Sequence, residues 1–239
     1  MLAGAALTAA AALTAAGCAS ETGTTPAVEA GAPPPAGHSH VTTLAARGQR
    51  HATLAVLSGA ASVTVTAAPM PGQLVRAWTP PNSGVRPQLV IAGGTVQVYL
   101  DSTGQGGPDP VVIQVSSAVR WRLQFSGGAS QTSVQMGNGM VSGLDFTAGS
   151  SLIALTLPRP SGTTLITLAG GASQVSIALP AAVPARLRLY GGASVASLDG
   201  QTRSGIAGGT VLTAAGWAAQ PNRYDVDAPA GVAEISVTG

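Results

Sequence analysis

The chain has 239 residues with 11 basic side chains, all arginine, and 9 acidic ones, for a formal net charge of +2. Apolar residues make up 45%, aromatics 3%, and glycine fills 32 positions. So thin a charge offers no basic field for nucleic acid, and a single cysteine, Cys18, excludes an internal disulfide framework and a multi-cysteine zinc site.

Residues 1–17 (MLAGAALTAAAALTAAG) carry no charge and are built almost wholly of Ala, Leu, Gly and Thr. The run falls short of the ~20 residues that span a bilayer core and fits a secretory signal with small residues before the cut. Ala15-Ala16-Gly17-Cys18 resembles a bacterial lipobox, which implies lipidation of the Cys18 thiol and an anchor in the outer face of the cell membrane. Position 15 is Ala where that motif favours Leu, and no basic residue precedes Arg47. Residues 18–47, rich in Ala, Pro, Gly and Thr, read as a disordered linker, because they bury too little surface to offset ordering entropy. His38, His40 and His51 sit in or beside this stretch, and no metal site is read from them.

Residues 48–239 read as one all-β domain. Short alternating runs such as Thr95–Leu100 and Arg120–Phe125 are punctuated by Gly and Pro. Four segments repeat at spacings of 21, 22 and 21 residues, anchored at Phe125, Phe146, Leu168 and Leu189. Glycine stands three places after each anchor (Gly128, Gly149, Gly171, Gly192), and serine five places after (Ser130, Ser151, Ser173, Ser194). Aliphatics stand two before (Leu123, Leu144, Ile166, Leu187) and nine after (Val134, Leu155, Ile177, Leu198). This predicts a single-stranded right-handed β-solenoid of about 21-residue coils, the aliphatics stacked inside, glycine at a corner and serine in a hydrogen-bonded ladder beside it. The looser spacing upstream predicts loops inserted at 69–88 and 101–110. Ile91–Val96 and Ile206–Val211 share the sequence IAGGTV. The shortened step to Ile206 predicts a C-terminal cap, with Trp217, Tyr224 and Ala233–Thr238 as its cover.

The Gly-Gly-Ala-Ser coils, Arg120-Trp121-Arg122-Leu123 and Arg223-Tyr224-Asp225-Val226-Asp227 resemble secreted actinobacterial lipoproteins with an adhesin-like, DUF4097-type β-solenoid. The resemblance covers roughly residues 90–239. It implies a cell-envelope location and no established reaction.

Chemistry is sought on the outward columns. Arg122, Asp145 and Arg188 are expected on one face, where an acid between two arginines suits an acidic polysaccharide. Trp78, beside Arg76 in the first inserted loop, can stack on a sugar ring. Asp225 and Asp227 form an Asp-x-Asp pair that can bind calcium in a loop, and Asp101 and Asp109 flank a glycine-rich one. No catalytic residue and no cofactor is assigned. The leading expectation is a monomeric, lipid-anchored, non-enzymatic adhesive module that meets envelope polysaccharide or protein and no nucleic acid. A polysaccharide-acting β-helix enzyme and a small sugar-binding protein are the alternatives.

Overall fold

Strands dominate because apolar residues alternate with Ser, Thr and Gln, giving each segment one face to bury and one to hydrate. The computed structural model describes residues 40–107 and 109–239, and within them there are only strands and their connections. Cys18, the signal, His38 and residues 18–39 of the linker lie outside the described residues. In chain order the strands are β1 (His40–Ala45), β2 (His51–Val56), β3 (Ala60–Ala68), β4 (Gln73–Thr79), β5 (Val85–Ala92), β6 (Thr95–Ser102) and β7 (Pro110–Ser116). Next come β8 (Arg120–Phe125), β9 (Ala129–Gln135), β10 (Met140–Phe146), β11 (Ser150–Thr156), β12 (Thr163–Leu168) and β13 (Ala172–Ala178). The last are β14 (Ala185–Leu189), β15 (Ala193–Leu198), β16 (Gln201–Ile206), β17 (Thr210–Thr213), β18 (Arg223–Ala228) and β19 (Val232–Thr238).

These strands form two mixed sheets. The first has ten strands in the order β1-β4-β7-β3-β9-β11-β13-β19-β15-β16, and the second has nine in the order β17-β14-β18-β12-β10-β8-β2-β6-β5. Seven coils each give one strand to each sheet, and all contacts between neighbouring coils are parallel. The expectation of one single-stranded run stacked in chain order therefore gives way to a two-sheet arrangement with exchanges at both ends. The β6–β7 coil lies outside the earlier β2–β3 coil, and the final β18–β19 coil slots between β12–β13 and β14–β15.

The interior ladders explain why this order is tolerated. In the second sheet Val96, Leu54, Leu123, Leu144, Ile166, Val226 and Leu187 stand in register, none more than 2% exposed. Three of the four expected aliphatics are direct neighbours, and Val226 separates Ile166 from Leu187. Facing them, Ile113, Val65, Val134, Leu155, Ile177, Val237 and Leu198 run across the first sheet. The anchors Phe125 and Phe146 stack with ring centroids 4.6 Å apart, worth roughly 1 kcal/mol beyond their burial. Each fully buried side chain of this kind contributes about 1.5–3 kcal/mol.

Corners and ends depart from expectation in instructive ways. Of the glycine column, Gly171 and Gly192 adopt positive φ, whereas the tightest approach falls one residue earlier. A Cβ on Gly170 would sit 2.1 Å from the Ala148 backbone, and one on Gly127 2.0 Å from the Ser58 carbonyl. Ser130, Ser151 and Ser173 are exposed, and no hydrogen bond joins them among the described residues. Residues 40–45, within the stretch expected as linker, form the edge strand β1, which pairs antiparallel with β4 while Leu44 packs on the core. The insertion at 69–88 holds β4 and the first half of β5, antiparallel strands that cover the β6–β7 coil. At the other end β16 and β17 form the cap, antiparallel to β15 and β14. Strand β19, expected as cover, is an interior coil instead, and Tyr224 is wholly buried.

Leu144→Ala, at the centre of the second-sheet ladder, should cost about 2–5 kcal/mol, and Leu212→Ala in the cap roughly half that. Urea unfolding of both variants checks the difference; equal losses would mean that the ladder is not a continuous core.

Candidate functional site

The two outer faces differ in chemistry. On the seven parallel strands of the second sheet the sequence carries Asp101, Arg120, Arg122, Asp145, Arg186, Arg188, Arg223, Asp225 and Asp227; on the seven of the first it carries Glu234 alone.

On the second sheet the expected trio does not converge. Arg122 and Asp145, on adjacent strands, form an ion pair at 2.7 Å. Arg188 lies on β14, separated from the strand of Asp145 by β12 and β18. It pairs instead with Asp225, and through Nε with Asp227 at 2.8 Å. Arg186 grips Asp225 with both arms, Nε donating to Oδ1 at 3.0 Å and Nη2 to Oδ2 at 2.6 Å. The Asp-x-Asp pair considered for calcium thus has two guanidiniums as its counter-ions. The Arg186 and Arg223 guanidiniums also lie 3.8 and 4.0 Å from the Trp217 ring centroid, and the Trp217 indole N–H donates to the Tyr224 carbonyl at 2.8 Å. Arg-x-Arg in β14 and Asp-x-Asp in β18 are complementary at a period of two. That signal was available in the sequence, but reading it required knowing that the strands are neighbours.

Burial of the Asp225 carboxyl works to raise its pKa, but the hydrogen bonds and charges of Arg186 and Arg188 outweigh it and hold the group below the usual carboxylate value. Burial pushes the Tyr224 hydroxyl well above the usual phenol range, and this hydroxyl donates to the Pro158 carbonyl at 2.8 Å. Both describe a closed structural cluster.

Trp78 is on β4 instead of in a loop and is only 7% exposed, with the Arg76 guanidinium 5.8 Å from its ring. His40 and His51 belong to different sheets. Asp101 pairs with Arg86 at 3.9 Å and accepts from Gln88, whereas the Asp109 carboxylate takes no part in an ion pair among the described residues. Among the described residues no three potential metal ligands gather.

The outer face of the first sheet was not singled out by sequence. Thr64, Ser133, Ala154, Ser176, Ser236 and Ser197 form one row across six adjacent strands. Ser62, Gln131, Leu152, Gln174, Glu234 and Val195 form a second. Neighbours within a row are about 4.8 Å apart. Of the large apolar residues left exposed (Val41, Val90, Ile91, Tyr99, Met140, Leu165, Tyr190 and Val211), none lies on these parallel strands. The face is mainly an array of hydroxyls, amides and small side chains, with half-buried Leu152 and Val195 and the exposed Glu234 among them.

Asp225→Asn should lower stability by about 2–3 kcal/mol, below the usual loss for a broken buried pair because both arginines are partly hydrated. Since the native pKa of Asp225 is depressed, its contribution is present above the unfolded value near 4 and lost as pH falls through the native one. The stability gap between wild type and Asp225→Asn should therefore close on acidification; a gap independent of pH would contradict the assignment.

No family model and no curated protein matches the chain by sequence. By structure it is similar to a "putative cell adhesion protein" from Clostridium sporogenes ATCC 15579, with a TM-score of 0.57 at 10% identity over 83% of this chain and 98% of that one. A "putative adhesin" from Bacteroides fragilis NCTC 9343 aligns over 86% of this chain and 100% of the other at 9% identity, with a TM-score of 0.25. The first likeness, at this identity, is one of fold.

Proposed function

We propose that the protein is a non-enzymatic adhesive module of the cell envelope that meets hydroxyl-rich polymer through the outer face of its first sheet. The observation that carries this reading is the chemical asymmetry of the two faces. Stable protein partners are held by apolar cores within an interface, and the first-sheet strands expose no such patch. Hydroxyls and amides at regular spacing suit many weak, partly water-bridged contacts to sugars. The ion pairs of the second sheet satisfy one another and leave Asp145 beside a single arginine, which argues against the acid and base cluster of a polysaccharide-cleaving enzyme. The description of the Clostridium neighbour as a cell adhesion protein agrees with the proposal.

On the same reading the chain is a DUF4097-type lipoprotein that works as a monomer without cofactor. Its parallel middle is a right-handed β-solenoid closed by antiparallel strands. Lipid on Cys18 holds it on the outer face of the bacterial membrane, with the linker as a stand-off. Labelling with a palmitate analogue should mark wild type and spare Cys18→Ser; equal labelling would remove the anchor from the proposal.

Adhesion is tested by co-sedimenting the full chain with purified envelope polysaccharide. Ser176→Glu with Gln131→Glu, both at exposed positions, should weaken retention about tenfold while shifting stability by no more than ~0.5 kcal/mol each, as exposed substitutions do. No retention of wild type would overturn the reading.

A further inference from the structure

One groove is cut into the edge of this same face, and its lining has an order that the function above does not require. Arg76, Gln114, Thr66, Gln135 and Thr156 stand in mutual register on five adjacent strands, β4, β7, β3, β9 and β11. Their partners in the alternation, such as Ile113, Val65, Val134 and Leu155, face the core, so this row faces outward. The turn Ala68-Pro69-Met70 forms one wall and Gly137-Asn138 another, enclosing about 710 Å³, inside the range of ligand sites, roughly 300–1,000 Å³. Four inter-strand steps of about 4.8 Å give a floor about 19 Å long.

We infer that this groove binds a linear acidic oligosaccharide of about four sugars, lying across the strands with a carboxylate at Arg76. The step from strand to strand is close to the advance of one equatorially linked pyranose, so successive sugars meet successive side chains. Each glutamine amide both donates and accepts, which matches neighbouring sugar hydroxyls. Pro69 and Met70 offer an apolar wall to ring C–H groups. The lining holds one charge, Arg76, and no acid; among the described residues Arg76 makes no ion pair. A guanidinium can take a carboxylate through two parallel hydrogen bonds. A peptide fits less well, because these central strands have spent their backbone groups on ladder bonds and leave no edge to extend.

This inference rests on the adhesive reading, and two assays separate their failures. Isothermal titration calorimetry of the full chain uses β-1,4-linked tetramannuronic acid and neutral cellotetraose, both equatorially linked, as probes. Wild type should prefer the acidic tetramer, and added salt should erase that preference. Gln114→Ala with Gln135→Ala should weaken binding of both probes by about tenfold or more. Arg76→Gln should weaken the acidic probe alone, by about five- to tenfold. Thr156→Glu, at an exposed position, gives a second disruption should the double variant fold poorly, and Arg122→Gln on the opposite sheet should bind as wild type does. No binding of the acidic tetramer by wild type, or equal binding by the groove variants, overturns the groove. Groove variants that still co-sediment with envelope polysaccharide but no longer bind the tetramer confirm the site and place adhesion elsewhere on the face. Tetramer binding without co-sedimentation by wild type leaves the groove and removes the adhesive role.

Discussion

Packing between the two sheets governs this molecule. Each coil is too short to enclose a core, so its two strands must present apolar side chains toward one another at the same height as those of the neighbouring coils. The period of two makes this condition strict, because a one-residue slip would turn Leu144 and Phe146 outward and bring Asp145 inside. Register is therefore fixed across each sheet by burial. Glycines at the corners permit the approach that the ladders demand: the Gly170 backbone packs so close to Ala148 that no side chain fits between them.

That condition constrains register and leaves the order of the coils open. Any coil with aliphatics at the right heights fits against any other, so Val226 serves in the ladder as well as a residue of the repeat. What singles out the observed neighbours of β18 is charge. Asp225 and Asp227 find Arg186 and Arg188 on β14, and Trp217 lies against two guanidiniums beside them. A buried or half-buried ion cluster adds modest net stability, but a mismatched order would strand these groups without partners, which is costly. The cluster acts as a positional key for the last coil.

With most charges of one sheet held in ion pairs, the other sheet remains nearly neutral, and its strands keep small polar groups in rows. Such a surface neither aggregates through apolar patches nor repels a polymer through charge. Its sheet edges are managed separately, since antiparallel strands cover both ends of the parallel stack and limit the edges open to further pairing.

The all-β class, the 21-residue repeat and the identity of the ladder residues were legible in the sequence, because period-two alternation and turn glycines are local signals. The neutral first-sheet face was not, since Ser, Thr and Gln in alternation carry no mark of which strands will adjoin. Nor was the placement of Arg188: two strands, β18 and β12, part it from Asp145, because β18 arrives from 37 residues further on to lie beside it. The two copies of IAGGTV show the limit most plainly. At Ile91–Val96 the glycines Gly93 and Gly94, both at positive φ, close a hairpin between β5 and β6 within one sheet. At Ile206–Val211 only Gly209 of the pair has positive φ, and the same six residues carry the chain from one sheet to the other. Local sequence determined that the chain turns there and which side chains seek the interior; which strand lay waiting on the far side of the turn was decided by long-range burial and charge pairing, which no short segment encodes.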